Sequence, residues 1–310
     1  MKRKIIKLGQ ATFVMSLPSA WIRKFDLRQG DYLEVEEAER TLVVASEKQI
    51  KNAAIKFDLR KVNSDLIESF VLGAYRQGYD EIELVHEPQC LEYKSKKKLS
   101  TTKLIQEIVN ANLVGAEIIE QSSQRTVIRD LGGSSGENVD NVFQRSLHLL
   151  KMNARDCLDA LKKKDLEVLN SMEMRHKNMK KFLLFYERLI NKKTLSKEKS
   201  TPIQQLTARL VDISASYKHL ADEAVRTKKF YSPIILDVLE KLDASLAQVV
   251  STCLEFNQIK CMDFLSEREL LWEKVYQLKL TGIDYLALLC IGPLLLNLKK
   301  AMLYRFSMEI

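Results

Sequence analysis

Residues 1–47 read MKRKIIKLGQATFVMSLPSAWIRKFDLRQGDYLEVEEAERTLVVASE. The pattern predicts two short strands, Lys4 to Lys7 and Thr12 to Ser16, then a short helix opened by Pro18. A turn at Gly30-Asp31 leads into a hairpin of Tyr32 to Val35 and Thr41 to Ala45. A unit this small buries too little surface to hold itself folded, so it needs pairing or attachment, and obligate dimerisation is the economical solution.

Charge along this stretch is divided. Between Met1 and Phe25 stand Lys2, Arg3, Lys4, Lys7, Arg23 and Lys24 with no acid. The acids begin at Asp26 and continue through Asp31, Glu34, Glu36, Glu37 and Glu39 to Glu47. Such a division is the footprint of a phosphate-binding surface, although on charge alone the plain alternative of a solvated basic terminus is favoured. The 310-residue chain carries a net charge of +8 with a pI near 9.1, which favours an acidic polymer or surface as partner and leaves the fold open.

The residue pattern resembles the SpoVT/AbrB swapped-hairpin DNA-binding domain. The matching features are K-x-x-K-L-G-x at Lys4 to Gln10, S-L-P-x-x-W at Ser16 to Trp21 and L-R-x-G-D at Leu27 to Asp31. The resemblance implies a homodimer in which hairpins of two chains interleave and basic loops face DNA. The family's DNA-facing cations fall on Arg3, Lys4 and Arg23, and Lys7, Lys24 and Arg28 lie close enough in sequence to add phosphate charge. Gln10 occupies the family's basic position after the glycine, so that contact is lost or becomes one from a neutral amide.

From Ile55 to Arg129 the apolar spacing predicts a β-α-β-α-β-β segment. Ile55 and Phe57 mark a strand, a helix follows from an Asn63 or Ser64 cap to Gly78, and Ile82 and Leu84 mark a second strand. A lysine-rich loop, Tyr93 to Lys98, precedes a helix through Leu104 and Val109 and the strands Ala116 to Glu120 and Arg125 to Arg129. One aromatic beside those lysines does not make a stacking surface, so a solvated loop is expected there. No Gly-rich phosphate loop is present.

Gly132-Gly133-Ser134-Ser135-Gly136 reads as a linker, and helices follow. Val139, Phe143, Leu147, Leu150, Ala154, Leu158 and Leu161 form one amphipathic stripe. A second helix is expected from Leu166 to about Ile190, a charged loop from Lys192 to Ser200, and a third helix from Pro202 to about Thr227. Pro233 to Leu254, about Asp263 to Leu278 and Ile283 to Tyr304 repeat the cycle, which predicts a six-helix bundle. The apolar run Tyr285 to Leu298, broken by Gly292-Pro293, falls short of a membrane span and is expected to be a core helix. The pair Ile5-Ile6 is too short for a secretory signal, so a cytoplasmic location without membrane insertion is expected.

The helical half resembles the PhoU domain, two tandem three-helix repeats of about this length. A SpoVT/AbrB-like start, a mixed middle and a PhoU-like end together resemble the archaeal phosphate-uptake-regulator family. That family resemblance implies E-x-x-x-D carboxylates binding metal clusters on the third helix of each repeat. Here the matching positions hold Val211, Ala215, Leu289 and Pro293, so no cluster, and no cofactor, is expected. Glu269 and Glu273 lie one turn apart and could hold a cation, although acids on a helix exterior beside Arg268 and Lys274 are ordinary.

Chemistry finds little support in the rest. Cys90, Cys157, Cys253, Cys261 and Cys290 are scattered and odd in number, which predicts buried free thiols. His86, His148, His176 and His219 sit in separate segments, and no nucleophile motif is visible, so no enzyme is expected.

The expectation is a multidomain α+β chain: a SpoVT/AbrB-like domain at 1–48, a mixed domain at 53–131 and a PhoU-like domain at 137–310, with repeats at about 137–229 and 232–306. Its expected function is that of a homodimeric DNA-binding transcription regulator linked by the resemblance to phosphate transport. The alternative is an adaptor acting on a phosphate transporter or a signalling kinase, with the first domain kept for dimerisation.

Overall fold

A computed structural model describes residues 2–9, 11–38, 41–46, 54–92, 97–132, 138–193 and 197–309. The chain is mixed α+β and 64% helical, with small sheets preceding a helical C-terminal region. It divides into two compact units, Met1–Ala53 and Ala54–Ile310.

In the first unit β1 (Ile5–Leu8) pairs antiparallel with β2 (Thr12–Met15), α1 (Ser19–Lys24) follows, and β3 (Leu33–Ala38) pairs antiparallel with β4 (Thr41–Ser46). These are the expected elements, with edges displaced by at most three residues.

The second unit opens with β5 (Ala54–Asp58), α2 (Ser64–Arg76), β6 (Glu81–Val85), β7 (Gln89–Leu91), β8 (Lys98–Ser100), α3 (Thr101–Asn112), β9 (Ala116–Gln121) and β10 (Arg125–Asp130). Its sheet has the order β5-β6-β10-β9, with β5 parallel to β6 and the other neighbours antiparallel. The α2 helix starts where the Asn63 side chain accepts the Leu66 N–H at 3.0 Å, and the chain turns away at Gly78, whose φ of +93° suits only glycine well. One sheet face carries Ile82, Leu84 and Ile128 into a core with α2 and α3. The other carries ion pairs, among them Lys56–Glu83 and Arg125–Glu83 at 2.9 Å and Arg129–Glu81 at 2.7 Å.

The short β7–β8 hairpin corrects the expected β-α-β-α-β-β order. Strands of three residues show no period that alternation can detect. Lys98, expected in a loop, begins β8, while 93–96 lie outside the described residues.

The helices are α4 (Val139–Lys163), α5 (Leu166–Asn170), α6 (Met172–Lys193), α7 (Lys197–Thr227), α8 (Pro233–Leu254), α9 (Gln258–Tyr276) and α10 (Ile283–Ser307). Four expected boundaries are corrected. The second helix is interrupted at Ser171, whose hydroxyl donates to the Val168 carbonyl at 2.7 Å. Pro202 lies inside α7, where a missing N–H forfeits a single helical bond near the start. The charged loop shrinks because α6 runs to Lys193 and α7 begins at Lys197. Asn257 caps α9 by accepting the Lys260 N–H at 3.0 Å, so that helix starts five residues before Asp263.

α10 continues unbroken through Gly292 and Pro293 for 25 residues and is long and apolar enough to cross a membrane. Length therefore does not separate it from a span, as had been expected. Its Ala287, Ile291, Leu294, Leu295, Leu298, Ala301 and Met302 are buried in the helical core.

α4, α6 and α7 pack on one another, and so do α8, α9 and α10, while α7 meets α10 and α4 meets α8. A single core joins them. The cysteines are free and, except for half-buried Cys290, buried; burial pushes the thiols of Cys157 and Cys253 up to about 12, which leaves them inert.

α6 belongs to two cores. Met172, Met179 and Leu183 join the helical one, whereas Leu184, Phe185, Tyr186 and Leu189 join the core beneath the sheet. Between them Arg188, with its side chain 1% exposed, reaches the sheet unit. Its Nη1 donates to the Tyr75 carbonyl and its Nη2 to Asp130 Oδ2, each at 2.7 Å, and the guanidinium stacks 4.6 Å from the Tyr75 ring. Lys192 adds hydrogen bonds to Asp80 at 2.6 Å and to Asp130 at 2.9 Å. The segments on either side of the expected 132–136 linker are thus packed together within one unit.

Burial would raise the Asp130 carboxyl, but hydrogen bonds from Arg188 and Lys192 outweigh it and hold the carboxyl at about 2 against an ordinary 3.8. A depressed folded-state value contributes stability above the ordinary value that is lost as pH falls through the folded one. We predict that this contribution, about 2 kcal/mol, disappears between pH 4 and pH 2 and is missing from Asp130→Asn. At neutral pH that variant should lose about 3–5 kcal/mol, because it strands buried cations. Urea unfolding of both proteins across that range checks this, and equal stabilities would refute it.

Candidate nucleic-acid interface

The first unit takes its shape from short-range chemistry. Gly9, at φ +74°, turns β1 into β2, and the register sets Ile5 opposite Met15, Ile6 opposite Val14, Lys7 opposite Phe13 and Leu8 opposite Thr12. Pro18 fixes the start of α1, with the Ile22 N–H donating to its carbonyl at 3.0 Å. Asp26, at φ +45°, ends the helical run, and the Trp21 and Phe25 rings meet 5.2 Å apart. The Arg28 N–H donates to Asp31 Oδ2 at 2.6 Å and the Asp31 N–H to the Arg28 carbonyl at 3.1 Å, which closes the turn before β3.

Arg3, Lys4, Lys7 and Arg23 are exposed, and none forms an ion pair among the described residues. Arg28 is exposed too, but its guanidinium lies 3.5 Å from Asp26, so part of its field is cancelled. Gln10 lies outside the described residues, and so does the side chain of Lys24. Lys7 shares a hairpin face with Ile5, Phe13 and Met15, whereas position 4 falls in the opposite register with Ile6. Arg23 is carried by α1 rather than by the hairpin. The cations therefore share one unit without forming a single row on one hairpin face.

The feature that charge reading missed is apolar. Ile5, Leu8 and Phe13 are 72%, 62% and 66% exposed, and Ile6, Val14 and Met15 are exposed as well. Among the side chains described in 2–46 none is buried. The signal was in the adjacent pairs Ile5-Ile6 and Phe13-Val14, because a strand with one wet face alternates, whereas one covered on both faces does not. Left in water, such a hairpin is unstable by itself.

No family model, curated protein or solved structure matches the chain. The site must be read from its own chemistry.

Elsewhere, no group of three or more His, Cys, Asp or Glu that could hold a metal exists among the described residues. Glu269 accepts from Arg268 at 2.8 Å, and Glu173 is held between Lys177 and Lys218. A hydrogen bond from Lys218 lowers Glu173 to about 2, against a smaller opposing effect of burial. Burial lowers His176 to about 4, with the Lys218 and Lys180 charges acting in the same direction.

If a second copy covers the hairpin, replacing Phe13 and Met15 by serine should abolish the association. Each side chain contributes about 1.5–3 kcal/mol on full burial, so dimer affinity should fall a hundredfold or more. Sedimentation equilibrium reads this, and a parent chain monomeric at micromolar concentration would rule the association out.

Proposed function

We propose that the chain is a homodimeric DNA-binding regulator whose first unit grips the duplex and whose second unit senses or docks. One observation carries the reading: exposed cations without acidic partners among the described residues sit on a unit in which no described side chain is buried and which exposes apolar side chains on both faces of the β1–β2 hairpin. An interleaved second copy would bury Ile5, Ile6, Leu8, Phe13, Val14 and Met15 and double Arg3, Lys4, Lys7 and Arg23. Two-fold symmetry then presents the cations twice along the DNA, as recognition of paired half-sites requires. Phosphate contacts would supply affinity, and a few side chains and DNA shape would supply sequence choice.

The finer architecture belongs to the same proposal. The first unit would be a SpoVT/AbrB-like swapped hairpin, and α4, α6 and α7 would form one PhoU-like repeat with α8, α9 and α10 as the second. Contacts between α4 and α8, and between α7 and α10, join helices at equivalent places in the two repeats, which supports that grouping. Val211, Ala215, Leu289 and Pro293 stand where that family has metal ligands, so the helical part would act without a cluster. A link to phosphate uptake follows from the family resemblance alone.

The reading predicts duplex binding that weakens steeply with salt. Arg3→Ala with Arg23→Ala removes four cations per dimer and should lower the slope of log K against log salt by about 3 to 4. Fluorescence anisotropy with duplex DNA between 50 and 200 mM salt measures it. Full-length protein that shows no salt-dependent binding would leave the adaptor reading in its place.

A further inference from the structure

A second candidate site lies within the 54–310 unit. The C-terminal end of α2 meets α6, α7 and α10 around a cleft of 440 Å³. Its wall carries two guanidinium groups, Arg76 and Arg209, the amides of Gln77, Asn191 and Gln205, and the ring of Tyr304. No acid lines it among the described residues.

Both arginines are anchored from behind. Arg76 Nε lies 3.4 Å from Glu187 Oε2, a carboxylate buried beneath it and held by the Thr207 hydroxyl. Arg209 Nη1 donates to Asn297 at 3.1 Å and pairs with Asp212 at 2.9 Å. The Nη groups of Arg76 and the Nη2 of Arg209 have no partner among the described residues, and the buried Nε of Arg209 forms no hydrogen bond. Asn191 ties the walls together: its Nδ2 donates to the Arg76 carbonyl at 2.8 Å, and its Oδ1 accepts from Gln204 at 3.2 Å. The side-chain amides of Gln77 and Gln205 make no hydrogen bond among the described residues.

Positioned guanidinium groups with unused planar N–H edges match the oxygens of a phosphoryl group, which they bind bidentately. A lone phosphate would leave most of the volume empty, since clefts of this size suit ligands with a ring system. Tyr304 offers such a ring a stacking face, and side-chain amides can meet both donors and acceptors on its edge. We propose that this cleft binds a nucleoside monophosphate, with Arg76 and Arg209 on the phosphate and Tyr304 beside the base.

The ligand would touch α2, which packs under the sheet, and also α7 and α10 of the bundle, so binding would clamp the two parts of the unit. It does not rest on the DNA reading, because it is measured on the full chain without DNA.

Isothermal titration of the full chain with AMP, GMP, CMP and UMP, with the parent nucleosides, and with inorganic phosphate tests the assignment. At least one monophosphate should bind with micromolar affinity and raise Tm. Its nucleoside and inorganic phosphate should each bind at least tenfold more weakly. Arg76→Gln and Arg209→Gln should each lower affinity tenfold or more. Because Arg76→Gln also disturbs Glu187, Gln205→Glu serves as a second variant: it places a carboxylate in the cleft while leaving the buried partners in place, and should abolish binding with Tm of the free protein unchanged. Absence of binding by all four nucleotides, phosphate binding as tightly as its esters, or affinity unaffected by Gln205→Glu would overturn it.

Discussion

A guanidinium cannot lie in an apolar interior without partners, and Arg188 is as deeply buried as the leucines around it. Its charge is met by Asp80, just before β6, and Asp130, the last residue of β10, at one end of the two central strands, and its plane by the Tyr75 ring. Since Arg188 is carried by α6, and Asp130 ends β10, the helix can take one position against the sheet. Sliding by a residue would leave three or four charges desolvated and unmatched. That constraint, rather than the apolar contacts beside it, sets how the helical and sheet parts meet. Apolar contacts tolerate small shifts, whereas a buried hydrogen-bonded ion cluster does not.

The first unit presents the opposite situation. Where α6 has too many interior partners to move, the β1–β2 hairpin has none: its apolar side chains meet water, and no described side chain of the unit is buried. Two-stranded ribbons of this length gain their stability from whatever covers them. A second copy would supply a surface of matched shape without requiring any other gene product, and a two-fold contact uses the same patch on both copies, so the assembly closes at two. Under the proposed dimer the same step that gives the unit a core also creates a binding surface. Folding, dimerisation and DNA affinity would then be one equilibrium.

Much of the secondary structure was legible because it is written in local chemistry. Asn63, Pro18, Pro233 and Gly78 announce helix ends, and Ile82 and Leu84 alternate as a half-buried strand should. Pro202 was expected to open a helix, but α7 begins at Lys197, because a proline so near the start forfeits only one helical hydrogen bond. At Ser171 and at β7–β8 the structure depends on a few hydrogen bonds that carry no periodicity. Nothing in the spacing of charges singled out Arg188. Its signal was the unbroken apolar company of Leu184, Phe185, Tyr186 and Leu189, which marks a segment buried all round. The cleft at Arg76 and Arg209 had no sequence signature, since it is assembled from four helices that only the tertiary fold brings together. For the candidate DNA surface, the order of charges and the need for a covering partner were legible in the sequence, whereas the side chains left to be covered, Ile5, Ile6, Leu8, Phe13, Val14 and Met15, emerged from their exposure.

Under the proposed function, that order also decides which side of the first unit would approach a duplex. Up to Phe25 the sequence is cationic without an acid, but from Asp26 to Ser46 acids outnumber Arg28 and Arg40. The unit as a whole is therefore only weakly basic, and a uniform distribution of its charges would give phosphate little reason to bind. Separation supplies what the net charge does not: the field near β1, β2 and α1 attracts phosphate, and the field near β3 and β4 repels it. In the proposed two-fold dimer both copies would obey the same rule, so the β3–β4 hairpins would lie away from the DNA and the β1–β2 hairpins toward it. The acidic hairpin then has a function of its own in the proposal, because it makes the wrong docking orientation unfavourable.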